Sequence, residues 1–130
     1  MVNSKDRFEA DLKRLARAQE TLVEALKQPK NSFIRDAVVK RFEYTFEISW
    51  KTVKAACDYL GFDCKSPREA IRTAFKQGWI KETEGWFEML DARNLTSHTY
   101  EEEIAEDVYN HAAKFPALIH PLIESLKTIK

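Results

Sequence analysis

Only three glycines occur in the 130 residues, Gly61, Gly78 and Gly85, and each falls between segments whose apolar residues recur at three- and four-residue steps. That recurrence is the period of an amphipathic helix, and no segment alternates in the manner of a strand. A first helix is expected over about Lys5 to Lys27, with Phe8, Leu12, Leu15, Leu22 and Leu26 as its seam and Gln19 interrupting it. After Gln28-Pro29-Lys30, Asn31 or Ser32 caps a second helix. Its stripe holds Ile34, Val38, Phe42, Thr45, Ser49, Val53 and Cys57, widened by Phe46 and Trp50. Gly61 fits a left-handed C-terminal cap that folds Phe62 back toward Cys57.

Ser66-Pro67-Arg68-Glu69 combines a capping serine, a proline at the first helical position and a glutamate three residues on, so a third helix starts there and ends before Gly78. A fourth is expected from Glu84 to Ser97. Thr99-Tyr100-Glu101-Glu102 reads as a second capping box that starts a fifth helix at Tyr100. Pro116 and Pro121 interrupt the apolar stripe of that helix, which predicts a kink or a break into two. The pattern is all-α, a helical bundle, and its length suits one domain over residues 1–130.

Twenty-one basic residues balance twenty-one acidic ones, so net charge draws the chain to neither DNA nor an anionic membrane. A local site for a short piece of RNA is compatible with that balance. No apolar stretch approaches the ~20 residues that span a bilayer. The opening MVNSKDRFEADLKR has no signal-peptide core, so a cytoplasmic location without membrane partners is expected. Cys57 and Cys64 lie beside a helix end and read as free thiols. Two cysteines cannot complete a four-ligand zinc site, and His111 and His120 lack partners at ligand spacing, so no metal is expected. No cofactor is expected either, since neither phosphate-binding glycine motif is present.

The fourth helix breaks its own pattern. On an ideal helix Phe87, Leu90, Asp91, Asn94, Ser97 and His98 share one broad face, apolar at first and polar at its end. Polar groups on an inward stripe cost about 1–3 kcal/mol each when unsatisfied. They form either a satisfied polar layer that fixes packing or the wall of a wet cleft. Arg93 precedes His98 by five residues, so their directions differ by about 140°. Convergence then needs the reach of arginine, a distorted helix end, or two copies of the segment facing across a dimer.

Arg93-Asn94-Leu95-Thr96-Ser97-His98-Thr99-Tyr100 reads R-N-x-x-x-H-x-Y and resembles the signature of HEPN domains. It is similar to the branch found beside minimal nucleotidyltransferases in toxin–antitoxin pairs, also described as nucleotidyltransferase substrate-binding proteins. Asp91-Ala92 and the segment from Arg41 to Lys51 share that likeness, which covers nearly the whole chain. The resemblance implies an antiparallel bundle of four to five helices, paired as a homodimer or larger assembly with the motif at the interface. For active members it implies a metal-independent endoribonuclease. His98 would then exchange the proton of the ribose 2′-hydroxyl or of the leaving oxygen, and Arg93 would neutralise the phosphorane-like transition state. Asn94 would orient His98 or bind phosphate, with Asp91 and Ser97 as supporting polar groups. Tyr100 would accept AMP from a separate nucleotidyltransferase antitoxin, silencing the nuclease.

Plainer roles stand beside these. His98 suits a capping or packing position, Arg93 an ion pair with Asp91 or Glu88, and Tyr100 an anchor for the fifth helix. Glu43 and Glu47 read as a solvated face, and the aromatics Phe42, Tyr44, Phe46 and Trp50 as core and interface packing. Between Glu82 and Asn110 nine acidic residues face Arg93 alone, whereas seven basic residues face three acidic ones between Lys51 and Lys81. The intact Arg93–His98 pair favours an RNA-cleaving enzyme. The acidic surroundings favour a non-catalytic substrate-binding subunit of a two-component nucleotidyltransferase, and a purely structural helical dimer is the third possibility.

Overall fold

Side chains cap the starts of three of the five α-helices in the computed structural model, which describes residues 3–130; the first two residues of the charged amino-terminal stretch lie outside it. Five α-helices follow one another: α1 (Ser4–Leu26), α2 (Ser32–Leu60), α3 (Pro67–Lys76), α4 (Glu84–Asn94) and α5 (Glu102–Leu126). A single 3₁₀ turn, Thr96–His98, lies between the last two. Asn31 caps α2 by accepting from the Ile34 amide at 2.8 Å. Gly61 at φ 86° closes it, as the Phe62 amide donates back to the Cys57 carbonyl at 2.8 Å. Ser66 caps α3 by accepting from the Glu69 amide at 3.2 Å, and the Glu69 carboxylate in turn accepts from the Lys65 amide at 2.8 Å.

Cross-helix contacts fix the directions. Tyr44 hydrogen-bonds to Thr21, Thr45 donates to the Ala18 carbonyl and Thr52 to the Asp11 carbonyl, so α1 runs antiparallel to α2. The Arg35–Glu102 and Phe42–Phe115 contacts climb together, so α5 runs parallel to α2. The Glu47–Arg93 and Glu43–Thr96 contacts bring α4 back antiparallel to α2. Two long helices therefore point one way and two elements the other, with α3 packed on α2 and α4.

Phe42, Phe46 and Phe115 are fully buried at the centre. The Phe115 ring lies 5.3 Å from that of Phe42, 5.9 Å from Phe46 and 5.4 Å from Trp86. Thr45 and Ser49 on the α2 stripe are buried without penalty because each hydroxyl donates to a helix carbonyl.

Three expectations change. α4 stops at Asn94 rather than Ser97, because the Thr96 hydroxyl turns back to within 2.8 Å of the Arg93 carbonyl and the His98 amide bonds the Leu95 carbonyl in a 3₁₀ turn. α5 begins at Glu102, not Tyr100. Thr99 spends its hydroxyl on the Thr96 carbonyl at 3.3 Å, and Glu101 is the uncapped extended residue. Pro116 and Pro121 do not break α5, which continues as one helix while buried Phe115, Ile119 and Leu122 anchor it on both sides. Among the described residues no helix is long and apolar enough to cross a membrane.

Candidate functional site

Arg93 occupies the last turn of α4, and its surroundings come from α2. Its guanidinium lies 5.7 Å from the centre of the Phe46 ring, and Nη1 stands 3.5 Å from Glu47 Oε1. Its Nε is buried and makes no hydrogen bond, leaving one donor of the fork uncommitted. Glu47 also accepts from the Trp50 indole at 3.1 Å, which holds the carboxylate in place. One turn earlier, Glu43 accepts from the Thr96 hydroxyl at 2.8 Å and pairs with Lys40 at 3.0 Å. Those contacts, Lys40 first and Thr96 second, hold the Glu43 carboxyl below the usual carboxylate range. Asp36, Val39, Lys40, Glu43, Thr96 and Thr99 line a groove of about 280 Å³ here.

His98 and Tyr100 flank in the chain one residue of that groove, Thr99. His98 Nδ1 is 3.4 Å from the Tyr100 hydroxyl, and the rings meet edge to face at 6.1 Å. Tyr100 is 79 % exposed, so its hydroxyl is open to a reagent from solvent. Asp91, Asn94, Ser97 and His98 are exposed as well. The polar stripe expected to look inward therefore looks outward: Asp91 and Asn94 do so within α4 itself, and Ser97 and His98 follow in the 3₁₀ turn, where the ideal helical register has ended. No hydrogen bond joins Asn94 to His98, or Arg93 to His98, among the described residues. The arginine pairs with neither Asp91 nor Glu88 but reaches across to Glu47.

Glu43 and Glu47 are half-buried partners of the motif, not a solvated face. Their spacing of one turn inside the Arg41–Lys51 segment, together with the lack of any other base from Glu82 to Asn110, was the available signal. Phe42 and Phe46 join the core as expected. Arg35 was not foreseen: it is buried at the start of α2, donating to both oxygens of Glu102 at 2.6 and 3.2 Å and to Glu106 at 3.3 Å.

Cys57 and Cys64 are buried free thiols, and burial pushes Cys57 up to about 12, which makes it inert as a nucleophile. No group of three metal-ligating side chains converges among the described residues.

A helical bundle with an arginine in the last turn of its fourth helix and a histidine five residues on, in the 3₁₀ turn that follows, is of the HEPN class. Residues 7–128 match the family model described as nucleotidyltransferase substrate binding protein like, and the chain belongs to that family. A curated protein of Haemophilus influenzae, strain Rd, named "Probable ribonuclease HepT", is 30 % identical over 105 residues, covering 74 % of this chain and 72 % of the relative. A crystal structure from Thermus thermophilus superposes with a TM-score of 0.80 at 32 % identity, covering 87 % of this chain and 98 % of that one. A solved structure from Haemophilus influenzae, said to reveal the fold of a substrate binding domain of a nucleotidyltransferase, also gives 0.80, at 26 % identity over 90 % of this chain and 99 % of that one.

Proposed function

We propose that the protein is a metal-independent endoribonuclease of the HEPN class, a single-domain toxin-like protein active as a homodimer in the cytoplasm and silenced when a partner nucleotidyltransferase transfers AMP to Tyr100. The observation that carries this reading is the exposed His98–Tyr100 contact, which follows directly on the helix turn that carries the partly exposed Arg93. Imidazole is the side chain best suited to taking and giving a proton near neutral pH. One His98 would take the 2′-hydroxyl proton as that oxygen attacks phosphorus. The P–O5′ bond breaks, and the second copy's His98 returns a proton to the leaving oxygen. Arg93 would meet the charge gathering on the non-bridging oxygens, with Asn94 on the same approach and Asp91 and Ser97 lending polarity.

Tyr100 fits the silencing step because its hydroxyl is 3.4 Å from His98 Nδ1. An AMP ester there would fill the space a substrate ribose must enter. The chain's own relative named as a ribonuclease supports the cleaving role.

A non-catalytic substrate-binding subunit is the second reading. It is favoured by Glu47, which already neutralises Arg93, and by exposed Glu101, Glu102 and Glu103 beside Tyr100.

Incubation with total RNA, with and without EDTA, beside His98→Ala, separates the two. Cleavage that survives chelator and vanishes in the variant is expected; absence of cleavage at any concentration leaves the binding subunit. Mass spectrometry after exposure to the partner and ATP tests Tyr100, and AMP on another residue refutes that assignment.

A further inference from the structure

Away from the motif, α3 presents an arrangement of charge that the fold itself does not require. Arg68 and Arg72, one turn apart and both exposed, bring their guanidinium carbons to 5.0 and 5.7 Å from the centre of one ring, that of Phe87 on α4. Lys76 continues the row one turn further on. None of the three makes an ion pair among the described residues. Glu84, Glu88 and Asp91 on the neighbouring helix leave the two arginines unpaired, and Glu69 is committed to the Lys65 amide at the cap.

Like charges spaced by four residues repel on a helix. Arg68 in addition lies in the first turn of α3, where the helix dipole disfavours a cation. Cation–π attraction to the Phe87 ring offsets part of that repulsion and restrains both exposed side chains. Two pre-positioned, unpaired guanidinium groups are a receptor for anions.

Position identifies the anion. Phe87 and Asn94 are seven residues apart on α4 and share a face, which places the arginine pair about 10 Å along the helix from the motif. Successive positions in the row are about 6 Å apart along the axis of α3, a spacing on the order of that between successive phosphates of a single strand. We infer that Arg68 and Arg72, extended by Lys76, bind the phosphates of a single-stranded RNA where it runs on from the cleavage site. This rests on the ribonuclease reading for the identity of the polymer. It also answers the acidity around the motif, because affinity would be supplied on α3 and chemistry at α4.

The test is fluorescence anisotropy with a labelled single-stranded RNA of about 20 nucleotides, in a His98→Ala background so that nothing is cut. Arg68→Gln with Arg72→Gln is expected to weaken binding about tenfold near 0.1 M salt and to reduce the slope of log K against log salt by about 1.4, since each single-strand phosphate contact contributes about 0.7. Arg68→Lys with Arg72→Lys keeps the charge and is expected to retain most of the slope. A dinucleotide, whose single step of about 6 Å falls short of the ridge about 10 Å from the site, should bind all forms equally. Unchanged affinity and slope for the longer RNA in the glutamine variant overturn the inference, as does a failure of the parent protein to bind RNA. Loss of binding to an acidic protein partner alone, with RNA affinity untouched, overturns it too. The two readings fail separately: binding through the ridge without cleavage removes the nuclease, and cleavage indifferent to the glutamine variant removes the ridge.

Discussion

Two arginines meet carboxylates in this molecule, and they are treated differently. Arg35, 8 % exposed, ties the first turn of α2 to the first turn of α5 through a two-pronged contact with Glu102, a further bond to Glu106, and Asp36 alongside at 3.6 Å. Its partners hold the guanidinium firmly protonated, Glu102 most of all. Arg93 has one carboxylate contact at 3.5 Å, an aromatic ring beneath it and a side chain 25 % exposed. The first makes three hydrogen bonds to carboxylates and serves as a clamp, although its Nε, like that of Arg93, is buried without a hydrogen bond. The second is restrained by one longer carboxylate contact and keeps a quarter of its side chain in solvent, which suits the anion-binding role proposed for it.

Substitutions at each end should divide accordingly. His98→Ala has the largest effect on function, a fall in RNA cleavage of about 10²–10⁴-fold as expected for loss of a proton-transfer group. Its unfolding free energy, from a urea titration, should stay within about 0.5 kcal/mol of the parent because the ring is exposed. Arg35→Met should do the reverse, lowering the melting temperature more than any change at the Arg93 end while leaving cleavage within about twofold. If Arg35→Met abolished cleavage in a protein that still folded, the distinction between clamp and site would be lost.

Phe46→Leu lies between the two cases. It keeps most of the core volume but withdraws the ring under Arg93 and from Phe115, so a cost of about 1–1.5 kcal/mol by urea unfolding is expected, together with slower cleavage. Glu43→Gln should give the smallest effect, visible in its pH dependence. Lys40 and Thr96 favour the ionised carboxylate in the folded protein, so its contribution is present above the ordinary glutamate value of about 4.3. It is lost as pH falls through the lower folded value. The variant should melt below the parent at about pH 7, and the gap should narrow as pH falls below the ordinary glutamate range.

Helix ends written in adjacent residues were legible in the sequence. Asn31, Gly61 and Ser66 act within three or four positions of themselves, and their side chains have few alternatives. Thr99 had one, the Thr96 carbonyl, and took it, which moved the start of α5 by two residues. The site was legible in its residues and not in its geometry. Arg93 and His98 were placed on an ideal helix that in fact ends between them, so the direction of the histidine depends on the 3₁₀ turn. Glu47 and Arg35 reveal their partners only when α4 and α5 are packed on α2, and residues so far apart in the chain carry no local sign of such pairing.

Tyr100 belongs to no helix, and most of its surface faces water. A nucleotide bonded there would hang outside the packed interior, displacing no buried side chain. Attachment and removal would both proceed on the native molecule, with no local melting to slow either direction. Under the silencing proposed above, control would be set by the rates of attachment and removal and not by the time the bundle takes to open.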